Sequence, residues 1–120
     1  MAIHKPGAGV RQRGHAFERK IVNELKEMGF HAETARYANR SLDDLKVDIV
    51  TDLPFNIQCK CHNTFKNPLP VMEEMPKDNR INVVFQKVVS KDEIVVLSKE
   101  NFYKLLRTLS LPDIMKLLNN

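Results

Sequence analysis

The sequence predicts a single α/β domain in which helices pack on a mixed sheet of five strands. Its 120 residues amount to about one domain. Along them, short runs rich in Val and Ile alternate with longer amphipathic stretches, in the order helix, three strands, a variable segment, two strands, helix. No internal repeat and no linker marks a second domain.

Residues 1–13, with Pro6, Gly7 and Gly9, lack apolar periodicity and are expected to be a flexible basic arm ahead of a domain spanning 14–120. Between Gly14 and Gly29, Phe17, Ile21, Val22, Leu25 and Met28 recur at helical spacing, and Gly29 is the expected stop. Strand character follows at His31–Tyr37, Lys46–Thr51 and Phe55–Cys61, the last two separated only by Asp52, Leu53 and Pro54, as in a hairpin. Asn67–Lys77 holds Pro68, Pro70 and Pro76 and is expected to be a loop with at most a short helix at Val71–Met75. Ile81–Val89 and Glu93–Leu97 read as two more strands. Ser98 or Lys99 then opens a helix with the stripe Phe102, Leu105, Leu106 and Leu109, and Pro112 starts a last short helix that ends in Leu117 and Leu118.

With 42% hydrophobic and 28% charged residues, the composition is that of an ordinary soluble domain. No stretch approaches the roughly 20 apolar residues of a membrane span, and no signal peptide opens the chain, so a cytoplasmic location without membrane contact is expected. Cys59 and Cys61 flank one residue, too close for a disulfide within a strand, which fits a reducing compartment. The net charge of +4 is localised. Residues 1–20 carry Lys5, Arg11, Arg13, Arg19 and Lys20 against Glu18 alone, whereas basic and acidic residues balance in the rest. Such a segment suits contact with a polyanion; a solvated tail is the plainer alternative.

On a helical wheel at about 100° per residue, Glu18 falls inside the arc of Phe17, Ile21, Val22 and Leu25, while Arg19, Lys20, Glu24, Lys26 and Glu27 lie on the other side. A carboxylate facing the core is costly unless a cation or hydrogen-bond donors meet it; otherwise Glu18 reaches water at the helix edge. Asp48 interrupts an apolar strand between Val47 and Ile49, where Asp is poorly suited. In the next strand Phe55, Ile57, Cys59 and Cys61 share one face, and Asn56, Gln58 and Lys60 the other. A hairpin centred near Leu53 would set Asp48 opposite Gln58 and diagonal to Lys60, unless these residues form only a solvated polar face. Two carboxylates with Gln-Cys-Lys match the needs of metal-assisted phosphodiester hydrolysis. Mg²⁺ takes oxygen ligands, available from Glu18, Asp48, the Gln58 side chain and the Cys59 carbonyl, and Lys60 would offset charge growing on the phosphate.

Glu18, Asp48 in Val-Asp-Ile-Val, and Gln58-Cys59-Lys60 together resemble the PD-(D/E)XK nuclease superfamily. The resemblance covers residues 10–100 or so and implies a restriction-endonuclease-like αβββαβ core. Size, the basic N-terminal arm, the Gly14-x-x-x-Glu18 helix start and a loop before the Asp strand are most similar to archaeal-type Holliday junction resolvases, with phage-encoded relatives included. Val47 stands where the motif has Pro. Gln58 stands where resolvases usually have Glu, and resembles the Gln-x-Lys form of Mrr-type restriction endonuclease domains.

The resemblance implies a Mg²⁺-dependent endonuclease, with Mn²⁺ as substitute, that cuts branched DNA as a homodimer in recombination and repair. Its catalytic set would be Glu18, Asp48, Gln58, Lys60 and Ser41, the serine lying in the loop Asn39–Asp44 and open to a plain turn-forming reading. Glu18, Asp48, Gln58 and Cys59 would hold the metal. Lys5, Arg11, Arg13, Arg19, Arg36 and Arg40 are the candidate DNA contacts. A duplex endonuclease of the Mrr-like type and a non-catalytic DNA-binding module remain as alternatives. Zinc at Cys59, Cys61 and His62 is rejected, since structural zinc takes four ligands and no second Cys/His cluster follows.

Overall fold

Both faces of one strand, Phe55–His62, are covered, and the fold is built outward from it. The computed structural model describes residues 8–38 and 45–119. Helix α1 (Ala8–Glu27) lies along one face of the sheet and buries Phe17, Ile21, Val22 and Leu25 against Ala32, Ile49, Ile57, Cys59 and Cys61. It begins at Ala8, ahead of the expected Gly14, because its first turns are helix-compatible but carry no apolar stripe that periodicity would register. At its other end Gly29, at φ 96°, donates to the Lys26 carbonyl (2.9 Å), and the Phe30 N–H donates to the Leu25 carbonyl (3.0 Å). This left-handed cap satisfies the last helix carbonyls and swings Met28, expected in the apolar arc, out to 63% exposure.

The chain continues through β1 (Ala32–Thr34), α2 (Ala35–Ala38), β2 (Ile49–Thr51), β3 (Phe55–His62), α3 (Leu69–Glu74), β4 (Ile81–Val88), β5 (Glu93–Val96), α4 (Lys99–Arg107) and α5 (Leu111–Met115), with a final 3₁₀ turn at Lys116–Asn119. The five strands form one mixed sheet in the order β1-β2-β3-β4-β5. Only β3 and β4 run parallel, paired from Phe55↔Ile81 to His62↔Val88, and the crossover between them contains α3. The α/β class, the five strands and the flanking helices are as the element order predicts.

Two strands are shorter than expected. The run His31–Tyr37 leaves the sheet after Thr34, where the Ala35 N–H donates to the Asp48 carbonyl (2.8 Å) and the chain turns into α2. The run Lys46–Thr51 enters it only at Ile49, since Lys46 sits at φ 63°, a left-handed conformation no strand accommodates. The hairpin itself is centred at Leu53, as expected, with Ile49 opposite Ile57. Among the described residues no helix is long and apolar enough to cross a membrane.

Gly14 and Gly29 give a paired test, since an added Cβ would meet nothing within 4 Å at either position. Gly14→Ala, inside α1, should stabilise the fold by about 0.5–1 kcal/mol. Gly29→Ala, at positive φ, should cost about 1 kcal/mol or more. Urea denaturation of the two variants reads both signs.

Candidate active site

The ladder between β2 and β3 stops just where Asp48 stands. Asp48 donates its N–H to the Ile57 carbonyl (2.7 Å), and its Oδ2 accepts the Cys59 N–H (2.8 Å). In the register that pairs Ile49 with Ile57, Cys59 would stand opposite Val47; the chain has turned away there, and a carboxylate oxygen takes the place of a strand carbonyl. Asp48 therefore does not simply face Gln58 across a regular pair. Its backbone and carboxylate together close the open end of the hairpin, and the residue is 8% exposed. Because the N–H and C=O of one strand residue point to the same edge, the Cys59 carbonyl is directed to the Asp48 side as well.

Glu18 is buried too, at 8% exposure, so the alternative of a solvated helix edge does not hold. Arg36, at the start of α2, donates from Nη2 to Glu18 Oε2 (3.0 Å) and supplies the cation that a core-facing carboxylate needs. Both acids act electrostatically on one group, the Cys59 thiol. Burial pushes its pKa well above the usual value, and Asp48 and Glu18 add to the shift. A thiol held protonated by burial and two carboxylates is no nucleophile, which leaves the acids as the reactive feature.

The opposite face of β3 is polar but not solvated. Asn56 and Gln58 are each 4% exposed and Lys60 is half-buried. Asn56 Nδ2 donates to Asp78 Oδ1 (3.0 Å) and Asn82 Oδ1 (2.8 Å), and Gln86 Nε2 donates to the Lys66 carbonyl (2.7 Å). Gln58 Oε1 differs: it is buried and has no hydrogen-bond partner among the described residues. Leaving such an oxygen unmet costs about 1–3 kcal/mol, and a hard cation is one partner that would meet it. By type, two carboxylates, one amide oxygen and one backbone carbonyl are donors a divalent metal would take; Gln58 stands on the face of β3 opposite the one that packs on α1. Among the described residues no three His, Cys, Asp or Glu side chains form a group that could hold a metal ion.

The candidate phosphate contacts separate. Arg36 is committed to Glu18, and Arg13 donates to Asn63 Oδ1 (3.2 Å). Arg11 and Arg19 are exposed on α1, whereas Lys5, Arg40 and Ser41 lie outside the described residues. Sequence reasoning did not find a cationic cleft where the end of β3 meets α1. One part, of about 280 Å³, is bordered by Arg13, Lys87 and Lys20, the last ion-paired to Glu93 (2.7 Å); the adjoining part, of about 310 Å³, is bordered by Arg13, His62 and Lys66. His62 titrates below its usual value, through burial first and then the nearby charges of Lys60 and Lys66. The cleft therefore reaches the neighbourhood of Lys60. Only the pair Lys60 and His62, two apart on one strand face, hinted at it in sequence.

The chain matches no family model, no curated protein and no solved structure.

Two measurements probe this geometry. Arg36→Ala should destabilise the fold by about 1–3 kcal/mol by stripping a buried carboxylate of a donor, and Glu18→Gln in that background should recover part of the loss. By NMR, His62 should titrate below 6.5 and move upward in Lys66→Ala, since removing a neighbouring cation favours the imidazolium. A His62 unaffected by Lys66→Ala would dissolve the proposed cluster.

Proposed function

We propose that this chain is a metal-dependent DNA endonuclease of the PD-(D/E)XK kind, acting on branched DNA as a homodimer and most similar to archaeal-type Holliday junction resolvases. The observation that carries the reading is the burial of two carboxylates, Glu18 and Asp48, with Asp48 bonded to the Cys59 N–H and the Gln58 oxygen on the same strand without a partner among the described residues. A helix bearing Glu18, three antiparallel strands and a crossover into a parallel strand also agree with the αβββαβ core that the resemblance implies.

Glu18, Asp48, Gln58 and the Cys59 carbonyl would hold Mg²⁺ or Mn²⁺. When bound, such an ion lowers the pKa of a water and polarises a phosphate oxygen. The protein's own groups do the rest. Asp48 is fixed at backbone and side chain before substrate arrives, so its carboxylate needs no reorganisation. Lys60 places an ammonium where negative charge grows on the phosphate being attacked. The cationic cleft beyond it would hold a flanking stretch of backbone, contacts that position DNA without reading bases. Cutting the two strands of a junction calls for two such sites related by a twofold axis.

One observation favours a second reading. Gln58 is neutral and Arg36 already offsets Glu18, so the site carries less negative charge than a set of three carboxylates. This suits a duplex endonuclease of the Mrr-like type or a DNA-binding module that retains the fold without catalysis.

A labelled four-way junction and a linear duplex, each with Mg²⁺ and with EDTA, separate these. Junction cleavage that needs metal is expected, with a loss of about 100-fold or more in Asp48→Asn and in Lys60→Ala. Asp48→Asn keeps an acceptor for the Cys59 N–H and so spares the fold. Equal cutting of both substrates would favour the Mrr-like reading. DNA binding without any metal uptake or cleavage would favour the binding module.

A further inference from the structure

From Lys99 to Asn119, through α4, α5 and the final turn, not one residue is buried. The segment is nevertheless ordered by its own capping groups. Ser98 accepts the Asn101 N–H (3.0 Å), and Ser110 accepts the Asp113 N–H (3.3 Å). Local caps do not hold a five-residue helix in water, because helices much shorter than about 12 residues are marginal without packing. Among the described residues this segment carries many of the exposed large apolar side chains. Leu111 is 69% exposed, Leu117 70% and Leu118 75%, with Leu109 and Met115 about half exposed. Phe102, Tyr103 and Leu106 on α4 and Ile94 and Val95 on β5 are exposed as well.

The same chain has an unfilled receptor. Between α1 and α4 the sheet face leaves a groove of about 140 Å³ lined entirely by apolar atoms, with Phe55, Val83, Phe85, Val95 and Leu105 in its walls. Val95, on the edge strand β5, is 53% exposed at its rim.

We infer that the occupant of this groove is the C-terminal arm, residues 109–118, of a second copy of the chain, so that two copies exchange arms about a twofold axis. The pairing is isologous: each copy offers one arm and one groove, and the contact closes at two. An apolar arm and an apolar groove without polar lining are complementary. This surface rests on the homodimer of the proposed function, and a test without DNA separates the pairing from the cleavage chemistry.

Sedimentation or light scattering at micromolar concentration should give twice the chain mass of 13.9 kDa. Leu117→Lys with Leu118→Lys, and separately Val95→Lys, should each yield monomers. All three residues are mostly exposed, so far-UV circular dichroism should be unchanged. Mixing the arm variant with the groove variant should restore a fraction of dimer, because one intact arm then meets one intact groove. Monomeric wild-type protein would overturn the proposal, and so would an arm variant that stays dimeric. A Val95→Lys variant that stays dimeric while the arm variant is monomeric would overturn the arm-in-groove pairing in favour of arm against arm.

Discussion

One hydrogen bond, from the Cys59 N–H to the Asp48 carboxylate, organises the candidate site. β3 is covered on both faces, so its backbone groups must be met from within the protein. β2 is too short to meet them all: the chain leaves the sheet before Ile49 through the left-handed Lys46. A carboxylate can fill that gap because it is an acceptor with capacity to spare, and a charged acceptor makes a stronger bond than a neutral one. A shortened strand thus turns a structural need into a fixed acid.

The fold was legible to the extent that it rests on periodicity. The α1 stripe, the alternation of β3 and the Val-rich β4 each follow from one buried face, and the hairpin register followed from its short connection. What was not legible rests on contacts between distant segments. Nothing within Ala35–Ala38 stops a strand; the capture of the Ala35 N–H by the Asp48 carbonyl does. Glu18, Asp48, Gln58 and Lys60 could be singled out because each breaks a local rule, as a charge in an apolar arc or a polar residue in a strand. Arg36 as the partner of Glu18 could not, since nothing local ties a residue of α2 to the face of α1. The cationic cleft was hidden for the same reason: Arg13, His62, Lys66 and Lys87 come from four segments that only the tertiary fold brings together.

Charge at the site is finely balanced. Two buried carboxylates would repel each other and carry a large desolvation cost if left alone. Arg36 relieves Glu18, and the Cys59 N–H relieves Asp48. The neutral Gln58 adds an acceptor without a third charge. This combination implies that a metal would compete with Arg36 for Glu18, so affinity for the ion and the strength of that ion pair are linked in opposite senses.

α1 connects the two functional surfaces and keeps them apart. The helix runs so that Arg13, Phe17 and Lys20, in its first half, border the cationic cleft at the C-terminal end of β3. Leu25, in its last turn, borders the apolar groove at the opposite end, beside Leu53 and Phe55. Cations and apolar side chains are thus sorted along a single element. In the proposed reading a polyanion would be held at one end, and a second copy of the chain at the other, where the groove walls are apolar. Association through the groove would leave both clefts, and the acids beside them, facing solvent, so pairing of two copies and access of DNA do not exclude each other.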